Sequence, residues 1–171
     1  MTATSAHLVD KVFPEVVVRQ WVLTLPIHIR YLIAYNKTVL NLIMNVFLKT
    51  IRLFLQHKLG LRKKQSHFGA VTVIQRNGSA LNLNPHFHAL VLDGLYHEEN
   101  GQLKWISNPG LTDNDLVQLL RTIRLRIVKI IKRAGLVDED ATLIADPFAD
   151  DNQILGSITS AAIATPQPTQ L

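Results

Sequence analysis

Residues 69–96 read GAVTVIQRNGSALNLNPHFHALVLDGLY, and the reading of this stretch decides the fold. Phe68–Gln75 is rich in β-branched residues and reads as a strand. Arg76-Asn77-Gly78-Ser79 carries the Asn-Gly turn signal of a hairpin, and Pro85–Leu92 reads as the returning strand. The two are expected to be antiparallel neighbours. On the second, His86 and His88 fall at i and i+2, which puts both imidazoles on one face of a strand and Phe87 on the other. Two imidazoles side by side are a pair of metal-ligand donors. The spacing alone is weak, because chance places an H-x-H in about one of three chains with this histidine content.

Outward from this hairpin, Val16–Leu25 reads as a first strand stopped by Pro26. From Ile29 the pattern becomes helical and runs to His57 or Lys58, as one very long helix or two, with Gly60 placed to follow the C-cap. Its longest uncharged run, Thr38–Leu48, has 11 residues, short of the roughly 20 that a membrane span requires, so a core helix is expected and no membrane partner. Leu61–Lys64 is a basic connector. Beyond the histidines, Asp93-Gly94 and Asn100-Gly101 read as two turns, and Leu103–Ile106 as an edge strand. Thr112, with Asp115 three residues on, opens a last helix that Gly135 ends. Leu116, Leu119, Leu120, Ile123, Ile127, Ile130 and Ile131 form its apolar stripe, and Arg121, Arg124, Arg126, Lys129, Lys132 and Arg133 lie mostly opposite.

The chain has 171 residues and no cysteine, which excludes a disulfide framework or a cysteine metal cluster and agrees with a reducing, cytoplasmic setting. Charge is uneven. Residues 1–92 hold 11 Lys/Arg against Asp10 and Glu15, whereas residues 93–171 hold 7 against 11 acids. A basic front half concentrates polyanions and makes nucleic acid the leading partner class. Residues 137–171 are acidic and then of low complexity, and the last 15 or so are expected to be disordered for want of anything to bury. The expected organisation is an α+β core over residues 12–136, with a central antiparallel sheet flanked by helices, and a tail over 137–171.

A family resemblance sharpens these readings. His, a hydrophobic residue and His on a central strand resemble the HUH nucleases. More closely, RQWVLTLPIHIRYLIAYN (residues 19–36) and the opening stretch resemble the rolling-circle transposases of the insertion sequence ninety-one family, in that family's order and spacing. The resemblance implies that His86 and His88 hold Mg²⁺ or Mn²⁺ over a scissile phosphodiester of single-stranded DNA at a transposon end. HUH sites usually add a third polar ligand from an adjacent strand, for which Gln75 is the candidate, with Asn82 and His67 behind it. Thr24 sits in the first-strand motif. Basic residues expected against DNA are Arg121, Arg124, Lys129 and Lys132 on the last helix, and Lys63 and Lys64 in the connector.

The resemblance also implies a nucleophilic tyrosine on a helix after the histidines. The tyrosines here are Tyr31, Tyr35 and Tyr96. Tyr31 and Tyr35 imitate a two-tyrosine pair at Y-x-x-x-Y spacing, but they stand in the early block and are expected to pack in the core. Tyr96 is expected to be structural. No catalytic tyrosine is assigned, no cysteine-rich zinc module precedes the core, and a truncated transposase is the resulting expectation. Three alternatives remain open on the residues alone: a plasmid replication initiator or conjugative relaxase of the same fold, a metal protein of cupin type, which also uses H-x-H, and a remnant without activity.

Overall fold

In this computed structural model, residues 14–77 and 83–136 are described. They form β1 (Val18–Thr24), α1 (Ile27–Ala34), α2 (Lys37–Lys58), a short 3₁₀ turn (Lys63–Gln65), β2 (Ser66–His67), β3 (Ala70–Asn77), β4 (Leu83–Leu92), β5 (Gly94–Glu99), β6 (Gln102–Ser107) and α3 (Asp113–Arg133). The strands make two antiparallel sheets, ordered β1-β4-β3 and β2-β5-β6. The fold is therefore α+β, with the histidine strand at the centre of the first sheet. Two three-stranded sheets with long helices are not a cupin barrel.

Burial along β4 alternates from Pro85 through Val91. Phe87 and Ala89 are fully buried, and they share one cluster with Leu23 of β1, Ile29 and Ile33 of α1, Ile43, Phe47 and Ile51 of α2, and Leu119, Ile123 and Ile127 of α3. That cluster is the core, and it draws on one face of the first sheet. The apolar stripe expected on the last helix is the one buried: Leu119, Ile123, Ile127 and Ile131.

The long helical pattern is broken in two. Tyr35 caps α1, and Asn36 then caps α2 by accepting a hydrogen bond from the Val39 amide at 3.0 Å. At the far end Gly60, with φ of 65°, lets the Leu61 amide reach the Gln56 carbonyl at 2.9 Å, closing the helix with a Schellman motif. By length and composition α2 could cross a membrane. Here its Val39, Leu40, Ile43, Phe47, Ile51 and Leu55 side chains are buried in the protein core. On α3, Thr112 and Asp115 form the full capping box that the sequence indicates. Asp115 also pairs with Lys58, which fastens the start of α3 to the end of α2.

Asp93-Gly94 is not a hairpin turn. Asp93 is a single-residue passage from the first sheet to the second, and it is buried with its polar groups engaged. Its amide donates to the Val17 carbonyl at 2.8 Å, its carboxylate accepts from Arg19 at 2.6 Å and from the Asn108 side chain at 2.9 Å, and its carbonyl accepts from the Asn108 amide at 2.9 Å. Gly94 is required by space, since a Cβ there would sit 2.3 Å from the Ile106 carbonyl oxygen and 2.7 Å from the Trp105 ring. The Asn100-Gly101 turn is as expected: both residues have positive φ, 52° and 77°, the conformation of a type I′ hairpin between β5 and β6. The Gly78-Ser79 half of the other turn, and the tail over 137–171, lie outside the described residues.

Two outcomes follow. Gly94→Ala is expected to destabilise the chain by about 3 kcal/mol, because the obstructing atom is backbone and cannot rotate away, as read by urea unfolding. Asp115 is held at about 2 against an ordinary 3.8, first by the Lys58 hydrogen bond and then by the Thr112 amide. Its contribution to stability is therefore complete above pH 3.8 and is lost as pH falls towards 2. In Asp115→Asn that part of the acid dependence of unfolding should disappear.

Candidate metal centre and nucleic-acid interface

The register of the first sheet brings the site together. In antiparallel pairing, partners across strands share a face. Thr24 of β1 and Gln75 of β3 both stand opposite His86, and Val22 and Val73 stand opposite His88. The face opposite Phe87 thus carries both imidazoles, and it is open: Thr24 and Gln75 are exposed and Val73 is 60% exposed. The two rings meet edge to face, with centroids 4.8 Å apart.

Pro85 shapes the approach to the pair. Lacking an N–H, it cannot donate to the ladder, and the register shifts at this point: Gln75 pairs with His86 but Asn77 pairs with Leu83. Asn84 and Pro85 together face Arg76, so β4 carries the extra residue immediately before His86. The bulge brings the Asn84 carbonyl to the His86 ring, where it accepts from Nδ1 at 2.6 Å. The proton is thereby fixed on Nδ1, and the Nε2 lone pair of His86 is left for a ligand.

His88 is set differently. Its Nδ1 lies 3.2 Å from the Gln20 side-chain amide, while its Nε2 is buried with no partner among the described residues. Burial, and then the neighbouring His86, lower the pKa of His88. It is therefore neutral at physiological pH, as a metal ligand must be. The Gln20 amide nitrogen donates to Nδ1, which puts the proton of the neutral ring on Nε2; a cation at Nε2 requires the Gln20 amide reversed, with its oxygen accepting from Nδ1. A buried imidazole nitrogen without a partner is costly, and a cation would remove that cost.

The donor set fits a hard-to-borderline divalent ion with imidazole and amide ligands. Gln75 is on the correct face, and its amide nitrogen donates to the Asn77 carbonyl at 3.1 Å, which leaves the oxygen as the metal-facing candidate. Asn84, not singled out from the sequence, contributes a buried Oδ1 that has no partner among the described residues. The period of two could not have found it, because the bulge at Asn84-Pro85 breaks the alternation just before His86. His67 is in the other sheet and pairs with Glu98 at 3.2 Å, so it is not brought to the histidines. Asn82 lies outside the described residues. No group of three or more His, Cys, Asp or Glu suited to a metal occurs among the described residues.

The tyrosines differ from expectation. Tyr31 and Tyr35 are 65% and 85% exposed rather than packed in the core, because the buried side of α1 is taken by Ile29, Ile33 and Ala34. Tyr96 lies against Trp105, with ring centroids 5.0 Å apart and planes tilted by 58°. Of the basic residues, Arg121, Lys129 and Lys132 are exposed on α3 and Lys63 and Lys64 on the 3₁₀ turn, while Arg124 is half-buried. Arg126 instead turns inward and donates to Thr50 of α2 at 2.8 Å.

Residues 69–149 match the model of the family described as "Putative transposase", a segment that spans β3 through α3 and includes both histidines. Over that segment the chain is similar to a transposase domain, and the match supports a transposase-related function. No curated protein matches the chain.

Gln75→Ala is expected to weaken Mn²⁺ binding by about tenfold, in the range seen for loss of one supporting ligand, without shifting the thermal unfolding midpoint of the metal-free chain. Manganese electron paramagnetic resonance and differential scanning fluorimetry would check both.

Proposed function

We propose that this chain is the HUH-type core of a rolling-circle transposase of the insertion sequence ninety-one family, one that binds single-stranded DNA and a divalent cation, Mg²⁺ or Mn²⁺, at His86 and His88. The observation that carries this reading is the unpaired, buried Nε2 of His88 beside a His86 whose proton is fixed on the opposite nitrogen, both on the open face of the sheet.

His86, His88 and the Gln75 amide would hold the ion. When bound, the ion polarises a phosphodiester and stabilises the oxygen that leaves it. The chain's own residues do the rest. The Asn84 carbonyl orients His86, and Gln20 orients His88. All the protein ligands are neutral, so the full charge of the ion is left for a phosphate to balance, which favours binding of the substrate strand together with the metal. The exposed Lys63, Lys64, Arg121 and Lys129 supply long-range attraction for the phosphate backbone. Arg124 and Lys132 are proposed to join that interface. Tyr31 and Tyr35 are exposed on and beside α1, Tyr96 lies against Trp105, and none is assigned the attack on phosphorus.

The test combines metal and strand. Wild-type protein should bind Mn²⁺ and a labelled single-stranded oligonucleotide, the latter with steep salt dependence. His86→Ala/His88→Ala should lose the metal signal while retaining most strand affinity in the absence of metal. A wild-type chain that binds neither Mn²⁺ nor single strands ends this reading.

A further inference from the structure

The half-buried arginines of this protein are mostly accounted for. Arg19 pairs with Asp93, Arg30 donates to the Leu25 carbonyl, and Arg126 donates to Thr50. Arg19 is held through Nη2 alone, its Nε having no acceptor among the described residues, and Arg52 has neither an acceptor nor an ion pair there. The Nε of Arg52 is buried, and no carboxylate among the described residues pairs with its guanidinium. A buried cationic donor is expensive to leave unpaired. The other arginines show how readily this fold supplies acceptors where it uses arginine for structure.

Arg52 lines an open surface recess of about 380 Å³, together with Leu48 and Lys49 of α2, Phe68, and Ala70 at the start of β3. Lys49 and Arg52 stand three residues apart, on neighbouring turns of one helix side. Lys49 is exposed and, like Arg52, has no acidic partner among the described residues. Two unneutralised cations and an aromatic wall in a recess are the elements of a nucleotide subsite: cations for the phosphate and a ring for the base.

The recess is distinct from the histidine site. Ala70 pairs with Val91 on the core face of the sheet, whereas Gln75 pairs with His86 on the opposite face, five residues along the same strand. At the rise of a β-strand this is about 17 Å. β3 is an edge of its sheet, and Arg76 is exposed towards its far end. The two sites lie on opposite faces, so a strand that reaches both passes over this edge.

We infer that the recess formed by Lys49, Arg52 and Phe68 is a second contact for the substrate strand, one that grips a phosphate and its base away from the histidines. The inference rests on the single-strand reading above, and it adds a register: the strand is held at two points along β3, so that the phosphate at the histidines is chosen by its distance from the one at Arg52.

The test is fluorescence anisotropy of a labelled oligothymidine across a salt series, with Lys49→Gln/Arg52→Gln and Phe68→Leu. The double variant should bind about tenfold more weakly, and its salt slope should fall by about 1.4, the value for two lost phosphate contacts on a single strand. Phe68→Leu should weaken binding about tenfold with the slope unchanged. Arg52→Gln should unfold at the same temperature as wild type or higher, since it removes a buried donor that the fold does not pair. A marked loss of stability would show a structural arginine and overturn the proposal. Strand binding identical in wild type and variants also overturns it, while leaving the histidine reading intact. A wild-type chain that binds no strand overturns the functional reading instead. In that case, stabilisation by inorganic phosphate that is lost in Arg52→Gln would identify a small-anion recess and reject the strand as its occupant.

Discussion

The strict alternation of side chains along β4 is the constraint on which the other features depend. Phe87, between the two histidines, is fully buried in the cluster that β1, α1, α2 and α3 share. Because successive residues of a strand point to opposite faces, anchoring Phe87 and Ala89 in the core fixes His86 and His88 on the other face. A slip of one residue would exchange the two sets and bury both imidazoles. The hydrophobic effect thus sets the position of polar groups it does not touch. The Pro85 bulge makes the last adjustment, bringing a backbone carbonyl within 2.6 Å of His86 Nδ1.

A second constraint is the passage from one sheet to the other. Arg19 and Asn108 hold the Asp93 carboxylate, and Gly94 lets the β6 backbone come within 2.3 Å of where a Cβ would be. The second sheet therefore continues directly from the histidine strand without a loop. A buried aspartate with satisfied lone pairs is tolerated because its partner is a guanidinium and its other bonds are to an amide side chain and backbone.

The unpaired groups of the described residues are informative as a set. Six buried polar atoms of the described residues lack partners: the Nε2 of His88 and the Oδ1 of Asn84 belong to the strand of the histidines, the Nε of Arg52 lines the recess beside α2 and β3, and the Nε of Arg19, the Oδ1 of Asn108 and the Oγ1 of Thr72 lie outside both sites. Native interiors leave few such groups unpaired. The first two suit a cation and the third an anion. A strand of nucleic acid bound with a divalent metal is a ligand that brings both, and it agrees with the match of residues 69–149 to a transposase family.

Much of this was legible in the sequence. The period of two in PHFHALVL, the capping box at Thr112 and Asp115, the glycine stops at Gly60 and Gly135, and the Asn100-Gly101 turn are local matters, settled by steric preference within a few residues. Tertiary structure decided what local preference leaves open. Asp93-Gly94 reads as a turn, yet the approach of β6 and the reach of Arg19 make it a junction. Tyr31 and Tyr35 have the spacing of a buried pair but face solvent, because Ile29 and Ile33 beside them claim the core. Arg52 and Arg126 read alike as helix arginines, and only the packing of α2 against its neighbours gives one a threonine and leaves the other without a partner. The sequence by itself determined which residues share a face, since that follows from the geometry of one strand or helix. Which of those faces is buried, paired or left open depended on contacts between residues far apart in the chain, and no local pattern encodes those.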